Sequence, residues 1–203
     1  LTALAETIGK RDTKVAALTM DVMLVITGSL FVAGMAQLYL KLPFTPVPIT
    51  GQTLAVLLVG GALGARRAGA AMALYLAWIA IGLPFAAEGN SGLEMLKVST
   101  ASGGYLWGFV VAAVLVGWLA ERGWDKDIGR AWAAMLLGSI VIYLFGVPWL
   151  AAALDIPVSA AGDQMNDALE FGMYPFVIGD VLKLLIAGAA LPVAWSFVGP
   201  KES

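Results

Sequence analysis

The sequence predicts an all-α polytopic membrane protein, a compact bundle of six transmembrane helices forming a single domain over residues 1–203. Three observations carry that reading. Of the 203 residues 60% are hydrophobic and only 13% are charged, where soluble domains carry about 25% charged residues. The apolar residues gather into six runs, and the cations concentrate on alternate links between them. A water-soluble chain of this size has no interior large enough to hide so much apolar surface, so its solvent is largely hydrocarbon.

The runs lie at about 22–40, 50–63, 68–85, 105–120, 131–154 and 175–198. A spanning helix needs roughly 20 apolar residues. The second run is short and needs its flanks or a tilt to cross. Abundant Gly and Ala within the runs permit close helix approach. On helix one, Ser29 and Ala33 form a small-xxx-small pair widened by Gly28, which suits a tight crossing against another subunit or another helix of the same chain. The link 42–53, LPFTPVPITGQT, carries three prolines. Each locks φ and extends its predecessor, which predicts a stiff extended strap with Thr50 capping the second helix. The link at 64–67 reads as a plain tight turn. The link 86–105 is rich in glycine and small polar residues, a composition that lets backbone and Asn90 come close to a ligand.

Charge sets an expected orientation. Lys10, Arg11, Lys14, Arg66, Arg67, Arg122, Lys126, Arg130 and Lys201 fall on one side of a six-span bundle. Lys41 and Lys97 fall on the other, among Glu88, Glu94, Asp155, Asp163, Asp167 and Glu170. The cation-rich side is cytoplasmic by the positive-inside rule, so both termini are expected inside. No cleavable signal peptide is expected, because a mixed-charge segment precedes the first run and no small-residue cleavage site follows it.

Several activities are excluded or disfavoured. Histidine and cysteine are absent, which removes His- or Cys-based zinc sites, thiol catalysis and disulfides. No metal site and no cofactor are expected. A net charge of −2 gives no reason to expect nucleic acid. GNSG at 89–92 resembles the serine motif of an intramembrane protease, but rhomboid proteases use a histidine base, so the chain is not expected to be an enzyme. No G-x-x-x-x-G-K-[ST] occurs, so ATP energy must be borrowed from another protein or replaced by an ion gradient.

One pattern demands chemistry. In FVIGDVLKLLIAG, residues 176–188, only Asp180 and Lys183 are neither apolar nor glycine. At i and i+3 they share a helix face and can pair. Each ionisable group in a bilayer helix costs about 2.5–3.5 kcal/mol on insertion scales. A bare pair still leaves donors and acceptors unsatisfied. A cyclic urea would complete it, its N–H groups facing the carboxylate and its carbonyl facing the ammonium. The competing reading is a structural ion pair that locks helix six to a neighbour. Asn90 either binds a ligand or makes an Asx-turn. Trp78, Tyr105, Trp107 and Tyr143 either line an apolar pocket or anchor at the interface.

PFTPVPITGQT, LLVGGALGARRAGAAMALYLAWIAIGLPFAAEGNSG, SGGYLWGF and FVIGDVLKL occur in that order. Together they resemble the BioY family, the substrate-binding S components of biotin transporters of the energy-coupling factor (ECF) class, over residues 33–187. The resemblance implies a six-helix bundle with an outward-opening pocket, biotin as the transported ligand, and the first loop as a lid. It implies a transmembrane T component and two ABC-type ATPase subunits as partners, in the inner membrane of a prokaryotic cell. Polar ligand contacts carry over onto Asn90, Asp180 and Lys183, with Tyr105 and Trp78 as expected pocket aromatics. The docking motif for the T component carries over onto Ser29 and Ala33. Three positions depart from the family pattern. Leu106 stands where some members have arginine, Thr100–Ala101–Ser102 precedes the G-G-Y, and Ile178 replaces a common proline. The carboxylate of biotin is then left to Asn90, loop N–H groups or strap hydroxyls. The alternative function is a self-sufficient ion-coupled vitamin carrier with Asp180 as the coupling acid.

The orientation is directly testable. A tag inserted within 155–172 should be reached by protease added outside intact cells, while tags on either terminus should be spared. An externally cleaved N-terminal tag would invert the assignment.

Overall fold

The computed structural model describes residue 4 and residues 14–160 and 167–198. Lys10, Arg11, Asp163 and Lys201, used above for orientation, lie outside the described residues. The first helix, α1, covers Lys14–Ala36 and is followed by a two-residue strand, β1, at Tyr39–Leu40. A second short strand, β2, at Ile49–Thr50 precedes α2 at Gln52–Leu63 and α3 at Ala65–Ala80. Two turns of 3-10 helix interrupt the loop that leads to α4 at Gly103–Ala120. Then come α5 at Ile128–Leu154, the short α6 at Ala168–Gly172 and α7 at Tyr174–Val198.

Four helical stretches, Lys14–Ala36, Gly103–Ala120, Ile128–Leu154 and Ala168–Phe197, are long and apolar enough to cross a bilayer. Their outward surfaces carry Ile26, Leu30, Val114, Leu144, Ile178, Leu182 and Phe197, large apolar side chains that a water-facing surface would not collect in bands. The protein is an all-α membrane bundle. The short α2, of 12 residues, is also the most central helix: it contacts α1, α3, α4, α5 and α7. At 1.5 Å per residue it rises only about 18 Å. Surrounded by other helices, it satisfies its apolar surface with protein and does not need full bilayer length.

The connections explain how so tight an arrangement closes. Between α2 and α3 the turn is a single residue, Gly64, at φ 79° and ψ 167°, a region open essentially only to glycine. Its N–H donates to the Gly60 carbonyl, and the next N–H, of Ala65, donates to the Glu121 carboxylate at 2.8 Å. The start of α3 is therefore capped by the end of α4. At the same end Trp195 of α7 donates to Asp125 at 2.5 Å, which ties the last turns of α7 to the link between α4 and α5. Asp125 is buried, and burial raises its carboxyl pKa from the ordinary value. Arg66, Arg67, Arg122, Lys126 and Arg130 all sit on these turns. Asp127 caps α5 by accepting from the Arg130 N–H at 2.9 Å.

At the opposite end the proline-rich link differs from the stiff extended strap expected. Tyr39 pairs with Thr50 and Leu40 with Ile49 in an antiparallel ladder, so the link doubles back as a closed loop. The cause is local hydrogen bonding at its root: Gly51 N–H donates to the Leu38 carbonyl at 2.9 Å. Thr50 is not the residue flanking α2, which is Gly51. Its hydroxyl nonetheless accepts from the Gln52 N–H at 3.2 Å, relieving one of the free donors that a helix start exposes.

Ser29 and Ala33, expected on a docking face, require correction. Ser29 is fully buried and Ala33 is 4% exposed. The Ser29 hydroxyl donates to the Ile26 carbonyl and accepts from the Trp78 indole at 3.3 Å. A side chain at Gly28 would meet Leu63, Val59 and Ala71. The small patch on α1 is thus consumed by α2 and α3 of the same chain, because small residues are what let those helices come close.

Glycine placement predicts stability. A Cβ at Gly117 would lie 2.5 Å from backbone atoms of Gly64 and Ala65, and backbone there cannot rotate away. Gly117→Ala should cost about 1–3 kcal/mol through overpacking. Gly34, with nothing within 4 Å of its would-be Cβ, should tolerate alanine, with a gain of up to about 1 kcal/mol from helix propensity. Thermal unfolding of both variants in detergent checks the contrast. Equal melting temperatures would contradict the packing described.

Candidate functional site

A cavity of about 480 Å³ opens at the end of the bundle away from the cation-bearing turns. It lies where the first turns of α2 and α4, the middle of α5 and the first half of α7 converge, beneath the 42–48 loop and the loop that follows α3. That volume falls within the range of about 300–1,000 Å³ typical of small-molecule pockets.

On its floor, Asp180 and Lys183 meet side chains from two other helices. The Lys183 ammonium donates to Asp180 Oδ1 at 2.8 Å and to the Thr53 hydroxyl at 3.1 Å. Thr53 in turn donates to Asp180 Oδ1 at 3.3 Å. On the far side, Tyr143 Oη donates to Asp180 Oδ2 at 2.5 Å. The two charged side chains are 16% and 12% exposed. A pair so far from water needs partners beyond each other, and Thr53 on α2 and Tyr143 on α5 provide them. A carboxylate has about four acceptor sites and an ammonium has three donors. Asp180 receives three bonds and Lys183 gives two. Among the described residues, one acceptor position, on Asp180 Oδ2, and one donor, on Lys183, remain, and both residues line the cavity.

The walls are aromatic and aliphatic. Tyr105 stands edge-on to Tyr143, with centroids 6.4 Å apart and planes at 85°, the geometry that ring quadrupoles favour. Its hydroxyl is spent elsewhere, donating to the Gly172 carbonyl at 2.8 Å, so toward the cavity it is an apolar face. Leu106, Phe109, Ile142 and Phe176 complete this wall. The roof is fastened by side chains bonding to backbone. Thr45 donates to the Phe171 carbonyl at 2.6 Å, linking the proline loop to α6. Gln52 donates to Tyr75 Oη at 2.7 Å, and Tyr75 donates to the Phe85 carbonyl at 3.0 Å, linking α2 through α3 to the second loop. Asp167 caps α6 and accepts from the Ala160 and Glu170 N–H groups, each at 2.8 Å. These bonds hold its carboxyl pKa below the ordinary value.

At the mouth, Lys41 pairs with Glu88. The hydrogen bond and charge of Glu88 raise the lysine pKa above its ordinary value. Glu88 itself adopts φ 64°, an uncommon left-handed conformation for a residue other than glycine. Asn90, exposed, lines the same rim. Its backbone carbonyl accepts from Ala86 N–H at 3.1 Å.

Of the residues singled out in the sequence, Asn90, Tyr105, Tyr143, Asp180 and Lys183 converge on this cavity. Trp78 does not: its indole turns to α1 and donates to Ser29. The tyrosine of α3 linked to the cavity is Tyr75, one turn earlier, which is buried in the core and accepts from the cavity-lining Gln52. Trp107 also points away and donates to the Leu96 carbonyl at 3.2 Å. Thr53, Gln52, Lys41 and Glu88 were missed. Thr53 had one legible signal, a hydroxyl in the first turn of an otherwise apolar helix. Lys41 and Glu88, 47 positions apart, carry no local signal of pairing.

The BioY family model matches residues 9–200 of this chain. Among curated relatives, the biotin transporter BioY of Rhizobium etli is 37% identical over 155 residues, covering 73% of this chain and 78% of the relative. The biotin transporter BioY2 of Lactococcus lactis subsp. cremoris is 32% identical, covering 87% and 88% of the two chains. The biotin transporter BioY of Thermotoga maritima is 34% identical, covering 73% and 81%. A solved S-component for biotin from an ECF-type ABC transporter superposes with a TM-score of 0.76 at 22% identity, covering 91% of this chain and 94% of the other. That likeness establishes a common fold, and the sequence relationships go further: this chain belongs to the BioY family.

Proposed function

We propose that this protein captures biotin from outside the cell and delivers it to the cytoplasm as the substrate-binding component of an ATP-driven uptake system. The observation that carries the reading is the floor of the cavity. Asp180 keeps one acceptor position, on Oδ2, and Lys183 keeps one donor, and a ureido group presents both an N–H and a carbonyl. The thiophane ring and valerate chain of biotin are apolar and suit the wall of Tyr105, Tyr143, Phe109 and Phe176. The naming of its relatives as biotin transporters supports the same ligand. Energy comes in trans, through a T component and two ABC-type ATPase subunits, since the chain has no phosphate-binding loop of its own. The cavity faces outward, because the cation-bearing turns lie at the other end of the bundle.

Calorimetric titration of biotin into purified variants tests the floor. Asp180→Asn keeps the size of the side chain but weakens the acceptor and strands Lys183. Lys183→Met keeps the stem but strands the carboxylate. Charged hydrogen bonds contribute about 1.5–3 kcal/mol, so each change should weaken binding by about tenfold to a few hundredfold. The double variant should lose less than the sum, since it leaves no stranded charge. Wild-type affinity in folded single variants, with only the melting temperature lowered, would reduce the pair to a helix lock.

A further inference from the structure

Four charged side chains line the cavity among the described residues, and they form two ion pairs of different character. The inner pair, Asp180 and Lys183, is nearly enclosed and tied to two neighbouring helices. The outer pair is not. Lys41 is 67% exposed at the side chain and Glu88 21%. Lys41 follows β1 at the start of the proline loop, whereas Glu88 belongs to the loop after α3. The pair therefore spans the mouth from one loop to the other.

The asymmetry has a chemical consequence. Resting on the biotin reading above, a ligand with its ring on the floor sends its carboxylate toward the mouth. Glu88 is already there, and a second carboxylate beside it is repelled. Leu106 on the wall offers no charge. Lys183 is committed at depth. Lys41 is the remaining cation of the lining. An exposed ion pair is weakly held, and an ammonium on a flexible four-carbon stem has three donors. Lys41 can thus leave Glu88, or bridge it to a second carboxylate, at little cost.

We propose that Lys41 reads the carboxylate of the ligand and that Glu88 competes with the ligand for it. The pair then sets the preference for a free acid over its neutral amide. The two partners have opposite effects, which a simple clasp between the loops does not. Removing the lysine weakens binding of the acid. Removing the glutamate frees the lysine and strengthens it.

The test is titration of biotin and of biotin primary amide into the purified full chain, comparing the ratio of the two dissociation constants. Wild type should prefer the acid. In Lys41→Gln the acid should bind about tenfold more weakly, as for loss of one charge-assisted hydrogen bond, and the preference should collapse. Lys41→Arg should retain the preference. Glu88→Gln should bind the acid more tightly and widen it. Three results would overturn the proposal: no acid preference in wild type, unchanged acid affinity in Lys41→Gln, or equal weakening of both ligands by Lys41→Gln and Glu88→Gln. If wild type binds neither ligand, the biotin reading itself fails and the role of Lys41 falls with it.

Discussion

Asp180 and Lys183 are charges in a place where charge is expensive, and their neighbours answer that cost. Thr53 reaches them from α2 and Tyr143 from α5, while both charges stand on α7. Three helices are thereby registered against one another at a single depth. A slip of one residue along any of them would strand a buried carboxylate or ammonium, at a cost of several kcal/mol. The cavity exists because this network holds its floor in one place while the aromatic wall rises above it.

Elsewhere the same end of the molecule relies on a different device. Thr45, Gln37 and Tyr75 each bond side chain to backbone, across 126, 49 and 10 positions of the chain. The two loops over the cavity are irregular, and irregular backbone leaves free carbonyls. Tyr75 of α3 and Gln37, just after α1, donate to carbonyls of the second loop, whereas Thr45 of the proline loop donates to a carbonyl of α6. The roof is thus fastened at its edges, with its centre spanned by the exposed Lys41–Glu88 pair.

The opposite end is built for closeness. Gly64 makes a one-residue turn, and Gly117 of α4 lies against it. Gly60 meets Val116 and Ala113, and Gly138 meets Leu57 and Val116. In a bilayer apolar side chains gain little by leaving lipid for one another, so packing and close backbone approach carry more of the association. Small residues let the short α2 sit in the middle of longer helices, where its 12 residues need not match the thickness of the membrane.

Composition and the six apolar runs were enough to establish a helical membrane bundle, because lipid admits few alternatives that satisfy the backbone. The Asp180–Lys183 spacing was enough to single out a pair that needs partners, and the structure gives it Thr53 and Tyr143 on the lining of the cavity. What the sequence could not decide was which face a small or aromatic residue takes. Ser29 and Ala33 read equally well as an outer docking face or an inner crossing, and only the packing of α1 on α2 and α3 turned them inward. Trp78 and Tyr75 stand three positions apart on α3, and tertiary contact alone sent the first to Ser29 and the second to Gln52. The prolines restricted φ along the first loop, but the ladder from Tyr39 to Thr50 turned it back on itself. Thr53, Tyr143, Lys41 and Glu88 joined the site through contacts between residues distant in the chain. Helical periodicity is a local property that a sequence displays directly, whereas the pairing of distant side chains depends on how whole helices settle against each other.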